Sequence, residues 1–140
     1  MIAELFKDKY ERYGKEISGY KMENGEYRFR LSSDQSAYIR TESTKAVWQN
    51  SHFHSEQTEY FLVEKGEVLF ATMENGDIEI RVYSTGDFFF VSPMIPHNMC
   101  LSEGGITHTI KFGGMPDWNA FPRLDEYLKR RKKQWKNRKK

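Results

Sequence analysis

Residues 52–66 read His-Phe-His-Ser-Glu-Gln-Thr-Glu-Tyr-Phe-Leu-Val-Glu-Lys-Gly, and the rest of the chain is best interpreted outward from them. His52 and His54 are two residues apart, so on an extended strand both imidazoles point to the same side. After a short break the chain enters an apolar strand at Glu59, whose carboxylate can return to the same point. Two imidazoles and a carboxylate form a ligand set suited to a divalent first-row metal ion.

A fourth ligand is offered by residues 86–97, Gly-Asp-Phe-Phe-Phe-Val-Ser-Pro-Met-Ile-Pro-His. The Gly-Asp pair predicts a turn, the apolar run predicts a buried strand, and a loop bounded by two prolines leads to His97. Three histidines with one carboxylate leave one or two coordination positions open, which is what a catalytic metal ion requires. Manganese, iron, nickel, zinc and copper all suit such a set, and the lack of a cysteine ligand favours the harder or intermediate ions.

Both stretches resemble the two sequence motifs of the cupin superfamily, G-x5-H-x-H-x(3 or 4)-E-x6-G and G-x5-P-x-G-x2-H-x3-N. The ligand positions all match, at His52, His54, Glu59 and His97. Turn or supporting positions differ at Ala46, Ser92, Met94 and Leu101. The resemblance covers roughly residues 40–113 and implies an antiparallel jelly-roll β-barrel with a metal ion inside, held by those four side chains.

Short strands separated by turn signals independently indicate a small all-β barrel or sandwich. The tetrapeptide Met-Glu-Asn-Gly occurs at residues 22–25 and again at 73–76, and Asn-Gly predicts a two-residue hairpin turn at both places. In the strand after the first turn, alternation separates Arg28 and Arg30 from their apolar neighbours. The apolar side chains are expected to face the core, with the arginines outward or at a mouth. Residues 45–50 are predicted to form a strand leading into the histidine pair.

The two ends of the chain carry helical patterns. Apolar residues at three- and four-residue spacings predict an amphipathic helix over residues 2–13, and Pro122 followed by two acids marks the start of a second helix. These patterns divide one domain into an N-terminal helix (1–15), a β-barrel (17–113) and a basic C-terminal helix or tail (122–140).

Charge is distributed unevenly along the chain. Residues 123–140 contain ten Lys or Arg and two acids, a net +8, whereas residues 1–122 contain twelve and eighteen, a net −6. A basic helix end of this kind is favoured as a solvated surface, with a subunit contact as the alternative. Nucleic acid is not expected as a partner because no recognised nucleic-acid motif accompanies the charges.

Length and composition limit the expected size of the core and the expected location of the protein. A chain of 140 residues suits a single domain with one modest core. The resemblance to cupins implies in addition a homodimer. The single cysteine, Cys100, cannot form an internal disulfide, and no apolar run approaches the roughly 20 residues that span a bilayer. The N-terminus carries acids where a signal peptide would be apolar, so the cytoplasm is the simplest location and no membrane partner is expected.

The expected role is enzymatic, on a small oxygen-rich substrate. A metal ion that polarises a carbonyl favours isomerisation or epimerisation of a sugar or keto acid. The catalytic candidates are Glu59, His108 and Lys111, but the last two are three residues apart, so only one can point inward from a regular strand. An inward His108 would serve as a base, and an inward Lys111 would bind a phosphate, a carboxylate or a developing enolate.

Residues 106–113 also resemble the strand after the metal motif in small cupins associated with bacterial sugar metabolism. Two other functions fit the same residues. One is an iron-dependent dioxygenase, which would use the same ligand set, and the other is a non-catalytic cupin that binds a small ligand.

Overall fold

A computed structural model describes residues 10–12 and 15–138, with side chains described for residues 17–131. Within them the chain forms twelve strands followed by one helix. The strands are β1 Tyr10–Arg12, β2 Lys15–Lys21, β3 Tyr27–Ser33, β4 Ser36–Glu42, β5 His52–Phe53, β6 Thr58–Lys65, β7 Glu67–Glu74, β8 Asp77–Ser84, β9 Phe88–Val91, β10 His97–Leu101, β11 Ile106–Phe112 and β12 Asn119–Ala120. The helix is α1, Pro122–Arg138.

The strands form two antiparallel sheets. A seven-stranded sheet has the order β1-β2-β3-β4-β11-β6-β9, and a five-stranded sheet has the order β12-β5-β10-β7-β8. The all-β, antiparallel prediction is confirmed. The predicted closed barrel is wrong in one respect, because the described strands pair within the two sheets and leave them as an open sandwich.

The N-terminal helix prediction is wrong for the part of it that the structure describes. Tyr10, Glu11 and Arg12 form β1 and pair with Ile17, Glu16 and Lys15 of β2. The edge of an existing sheet offers backbone partners to these residues, and such tertiary pairing overrides a weak helical preference. Residues 2–9 and 13, which the predicted helix also covered, lie outside the described residues.

An apolar core fills one part of the space between the sheets. Its fully or nearly fully buried members come from β6, β7, β9 and β10, and they are Phe61, Val63, Val68, Phe70, Phe89, Val91, Met99 and Leu101. Phe89 stacks on Tyr83 with 3.9 Å between ring centroids and lies against Phe61 at 4.9 Å. This end of the sandwich is therefore closed by packed side chains, and the polar residues of the interior lie elsewhere.

The predicted C-terminal helix is present as α1 and covers the outer face of the five-stranded sheet. Leu124 and Leu128 are completely or almost completely buried, and they pack with Ala71 of β7. Trp48 packs against this cluster. Residues 45–50 do not form the predicted strand, because only Trp48 among them pairs with another strand, in an isolated bridge to Cys100. The helix α1 is rich in lysine and arginine, and it is not a helix that could cross a membrane, which would need a long apolar stretch.

The apolar side chains of β3 are predicted to face the core, but Leu31 faces outward, and the arginines take a position close to the second of their two predicted ones, at a cavity. Arg28 and Arg30 line the interior cavity, whereas Leu31 lies on the outer surface and is 40% exposed. Alternation places the arginines on one face and the apolar residues on the other, but it does not say which face is inside. The interior of this part of the sandwich is polar because it belongs to the cavity described below.

The two Met-Glu-Asn-Gly segments form different turns, although the sequence predicts similar ones. Asn75 and Gly76 both have positive φ, 53° and 82°, and Glu74 pairs with Asp77, which is a two-residue hairpin. At the first segment only Gly25 has positive φ, and the strands begin to pair further out, at Lys21 and Tyr27. The first turn also has a contact from outside its own segment, since Thr44 donates a hydrogen bond to the carbonyl oxygen of Gly25 at 2.7 Å.

Candidate metal centre

Four ligand-type side chains from both sheets converge at one point inside the sandwich. His52 and His97 lie on paired residues of β5 and β10 in the five-stranded sheet, and Glu59 lies on β6 in the seven-stranded sheet. His54 directly follows β5. One ligand atom from each of these residues lies within 4.8 Å of the other three. The four side chains that the sequence singled out are therefore brought together as a cluster.

Backbone carbonyls orient all three imidazoles. Nδ1 of His52 lies 2.9 Å from the carbonyl oxygen of Asn50, Nδ1 of His54 lies 2.6 Å from that of Asp117, and Nδ1 of His97 lies 2.9 Å from that of Ile95. A carbonyl oxygen only accepts hydrogen bonds, so each Nδ1 carries the proton. In a neutral ring Nε2 then offers a lone pair, and such outer partners are what fix the tautomer of metal-binding histidines.

The resulting contacts call for a cation. Oε1 of Glu59 lies 2.7 Å from Nε2 of His54 and 2.8 Å from Nε2 of His97, and all three side chains are buried. Nε2 of His54 is buried without a hydrogen-bond partner among the described residues. Lone pairs facing a carboxylate at these distances repel one another unless a proton or a metal ion binds between them. The donor set therefore fits a divalent metal ion.

Electrostatics in the cluster agree with this interpretation. Burial, reinforced by the neighbouring His97, lowers the pKa of His52 to about 3, so this ring is neutral at ordinary pH. Burial alone would raise the pKa of Glu59, but a proton shared with His54 or His97 through a hydrogen bond lowers it well below its ordinary value. A metal ion in the same place would keep the carboxylate ionised for the same electrostatic reason. A neutral imidazole and an ionised carboxylate are the protonation states in which these groups bind metals.

The loop before His97 contains a residue in an unusual conformation. Met94 has φ = 69°, in the left-handed region that glycine adopts without strain, and it stands where the cupin motif has glycine. Its backbone N–H donates to the carbonyl oxygen of His54 at 2.7 Å. The loop therefore keeps the glycine-type conformation and ties one ligand-bearing segment to the other.

Residues 113–121 support the cluster in a way that sequence analysis missed. Besides accepting from His54, Asp117 uses Oδ1 to accept from the backbone N–H of Ser55 at 2.9 Å. Trp118 stacks on His52 with 5.2 Å between ring centroids. Spacing gave no signal for these contacts, because this segment lies some 60 residues after the histidines and follows the last long strand.

A cavity of about 230 Å³ opens beside the cluster. Its walls include apolar residues of the core, such as Phe61, Phe70 and Met99, and three cationic side chains, Arg28, Arg30 and Lys111. Arg30 makes no ion pair with any described residue, and Nε of Arg28 is buried without a partner among them. Unpaired cationic donors beside a metal cluster are suited to an anionic ligand.

Of the two candidates on β11, Lys111 faces inward and His108 does not. Lys111 lines the cavity, and its burial lowers the pKa of its amine, although the carboxylate of Glu59 opposes this shift. His108 lies on the outer face, where Nε2 is 2.6 Å from Oε1 of Glu64 and Nδ1 is 2.6 Å from the hydroxyl of Tyr38. The prediction of His108 as a base at the metal is therefore corrected by the alternation of the strand.

A buried carboxylate, Glu26, holds one cavity wall in place. It is 1% exposed and accepts hydrogen bonds from Nη2 of Arg28 at 2.7 Å and from Nε2 of Gln49 at 2.9 Å. Because Arg28 and Gln49 both line the cavity, Glu26 orients two of its polar groups. No spacing or motif in the sequence distinguishes this glutamate from the other acids of the chain.

Replacing Glu26 by alanine should lower the free energy of unfolding by about 3 kcal/mol, because Arg28 would remain partly buried without its carboxylate. Urea unfolding measures the change. Glu23→Ala, an exposed acid of the same loop, is the matched control and should cost less than about 0.5 kcal/mol. Adding Arg28→Leu to Glu26→Ala should recover part of the loss. Equal losses for the two alanine variants would contradict the role of Glu26.

Solved structures of other proteins have a fold similar to that of this chain. No family model and no curated protein matches the sequence. Among solved structures, a single-residue variant of oxalate decarboxylase from Bacillus subtilis matches with 17% identity and a TM-score of 0.60, over 71% of this chain and 28% of that one. The chain thus spans less than a third of the length of that protein. Another structure of the Bacillus subtilis enzyme, matching with a TM-score of 0.63, concerns its Mn(II) centres.

Two single-domain-sized structures are covered almost entirely. KdgF from Halomonas sp. has 17% identity and a TM-score of 0.60, over 71% of this chain and 89% of that one. An uncharacterized conserved protein with a double-stranded β-helix domain from Klebsiella pneumoniae has 16% identity and a TM-score of 0.61, over 72% of this chain and 88% of that one. Together with the His and Glu cluster, these likenesses show that the chain has the double-stranded β-helix fold of the cupins.

Proposed function

We propose that this protein is a metal-dependent enzyme that isomerises or epimerises a small, oxygen-rich, anionic substrate, a sugar acid or keto acid. The proposal rests on one observation: a set of metal ligands and a group of cationic side chains lie in the same cavity. The ligand cluster of His52, His54, Glu59 and His97 lies beside three cations, Arg28, Arg30 and Lys111. The cavity volume of about 230 Å³ is below the roughly 300–1,000 Å³ of drug-sized sites, so the substrate is small.

The cations set the charge and orientation of the substrate. Arg28 is held by Glu26, which leaves its remaining donors for a ligand, and Arg30 is not neutralised by any described acid. A planar guanidinium binds a carboxylate through two parallel hydrogen bonds. We therefore assign the two arginines to the acid group of the substrate. The oxalate decarboxylases, by their name, also act on a small carboxylate.

A divalent metal ion held by the cluster would polarise a substrate carbonyl and lower the cost of removing a proton from the neighbouring carbon. Lys111 is the group we assign to receive that proton and return it. Among the described residues that line the cavity, the other titratable groups are the two arginines, which stay protonated, and members of the metal cluster. Burial lowers the pKa of the Lys111 amine, which increases its neutral, proton-accepting fraction.

Apolar walls complete the site. Phe61, Phe70 and Met99 belong both to the core and to the lining of the cavity. They limit access of water from the core side, which strengthens the electrostatic contacts of a bound anion. No described acid other than Glu26 and Glu59 balances the cations at this wall, so a neutral substrate would leave them unpaired.

Exchange of substrate protons with heavy water tests the proposal. Protein loaded in turn with Mn²⁺, Fe²⁺, Ni²⁺ or Zn²⁺ is incubated in D₂O with a panel of keto acids and sugar acids, under strictly anaerobic conditions, and followed by NMR. We expect deuterium to enter the carbon next to a carbonyl, at a rate that depends on the metal ion. Oxygen uptake with no anaerobic exchange would favour a dioxygenase. Ligand binding that persists after metal removal, with no turnover, would favour a non-catalytic binding protein.

A further inference from the structure

A row of large apolar side chains crosses the outer face of the seven-stranded sheet. Backbone pairing places five of them side by side on five adjacent strands, in the order Leu31, Tyr38, Ile110, Tyr60 and Phe90. We call this row the outer ladder. Leu31 is 40% exposed, Ile110 51% and Phe90 58%. A continuous apolar row of this length is unusual on a surface that faces only water.

Further apolar residues widen the outer ladder on the side of β9. Phe88, Leu62 and Phe112 are 62%, 42% and 43% exposed. The ring of Tyr60 lies between three phenylalanine rings, with centroids 5.5 Å from Phe88, 5.6 Å from Phe90 and 5.5 Å from Phe112. The result is a pre-packed aromatic surface that would lose little side-chain entropy on being covered.

The two sheets differ in how their outer faces are covered. The helix α1 lies on the five-stranded sheet and buries Leu124 and Leu128 completely or almost completely. Over the outer ladder, no element among residues 10–12 and 15–138 provides such a cover, and its apolar residues keep the exposures given above. The uncovered sheet is the one expected to meet a partner.

The polar groups beside the outer ladder are already paired within the chain. Nη1 of Arg40 lies 2.9 Å from Oε1 of Glu42, and the imidazole of His108 bridges Glu64 and Tyr38, with 2.6 Å to each. These cations and acids therefore balance one another, and Lys21, farther out on β2, lies over the ring of Tyr27 at 5.4 Å. Two identical faces could therefore meet without bringing unpaired charges of the same sign together and without breaking the existing ion pairs.

We propose that the outer ladder is the interface through which two copies of this chain form a homodimer, by packing their seven-stranded sheets face to face. The five strands from β3 to β9 cover a width of roughly 24 Å, and seven residues cover a length of roughly 23 Å. That flat area of roughly 550 Å², to which standing side chains add, is about two thirds of the roughly 800 Å² per partner that a standard stable interface buries.

The mass in solution, measured by light scattering after size exclusion, tests this interface. The wild-type protein is expected to be a dimer at micromolar concentration. Phe90→Glu, which changes an exposed ring of the aromatic cluster packed on Tyr60, should weaken the dimer at least about 30-fold, as loss of one dominant interface side chain does. The matched control is Val82→Glu, which changes a similarly exposed apolar residue, 43% exposed, on β8 of the other sheet. This control should remain dimeric.

A second variant and a second measurement guard against misfolding. Ile110→Lys changes a different strand of the outer ladder, and circular dichroism checks that each variant keeps the β spectrum of the wild type. Hydrogen exchange on the wild type, compared at low and high concentration, should show slower exchange of β6, β9 and β11 at high concentration than at low concentration. A monomeric wild type, a folded Phe90→Glu protein that dimerises normally, or protection on β8 instead would overturn the proposal.

Discussion

Replacing His54 by alanine should lower the affinity of the protein for a divalent metal ion by more than the 10–100-fold that loss of an outer partner of a ligand typically costs. His54 is 3% exposed, its Nδ1 is committed to the carbonyl oxygen of Asp117, and its Nε2 has no hydrogen-bond partner among the described residues. Removing this ring deletes one of four ligands directly. Elemental analysis of protein purified without chelator, with titration of the metal-free form, measures the effect.

The fourth histidine of the chain is the control for this experiment. His108→Ala removes the same side chain from the outer face of the seven-stranded sheet, where it bonds to Tyr38 and Glu64. Metal content should remain that of the wild type, at about one ion per chain. Glu59→Gln should behave like His54→Ala because it removes the charge that balances the ion. Unchanged metal content in His54→Ala would show that the cluster is misassigned.

Lys111→Met should lower the rate of substrate proton exchange by about 10²–10⁴-fold while metal content stays the same, if Lys111 carries the proton. Methionine keeps much of the volume of lysine but cannot accept a proton. In the wild type the rate should rise with pH as the amine becomes neutral. Because burial lowers the pKa of Lys111, the midpoint of that rise should lie below the 10.5 that is usual for lysine. The pH profile of Lys111→Met should lack this rise.

Lys65→Met, an exposed lysine at the end of β6, is the matched control and should leave both rate and profile unchanged. Lys111→Arg separates two roles, because arginine keeps the charge but stays protonated. If Lys111 only binds the anion, the arginine variant should retain exchange. Full exchange activity in Lys111→Met would remove this residue from the chemistry, without affecting the evidence for the metal cluster.

Sequence reasoning was effective where chemistry and spacing act together. His52, His54, Glu59 and His97 could be selected because ligand-type residues are few and the chain has only four histidines. The structure brings all four within 4.8 Å. The antiparallel all-β class followed in the same way from turn signals that recur between short apolar runs.

The orientation of a strand could not be predicted, because alternation defines two faces but not which one is inside. For β3 the usual rule would bury Phe29 and Leu31, yet the structure turns Arg28 and Arg30 inward. A hydrophobic rule fails at a strand whose inner face serves a polar cavity and whose outer face is itself apolar. Exceptions of this kind are expected at functional sites.

Context also decided the local structures that short patterns left open. The same four residues, Met-Glu-Asn-Gly, form a two-residue turn at Asn75 and a wider turn before Gly25. A Cβ atom at Gly25 would lie 2.5 Å from Oγ1 of Thr44, a contact about 20 residues away along the chain. Likewise, Tyr10, Glu11 and Arg12 pair with β2 despite a helical pattern. Neither outcome is encoded within the segment concerned.

The open sandwich gives the candidate metal centre a mechanical consequence. The two sheets share no ladder of hydrogen bonds among the described strands, and the ligands come from both of them. An ion bound there would link Glu59 of the seven-stranded sheet to His52 and His97 of the five-stranded sheet, beside the packed core. Binding and folding would then be thermodynamically linked, since only the assembled sandwich presents all four ligands together. The same ion would serve as the cofactor and would also fix the position of one sheet relative to the other across the cavity.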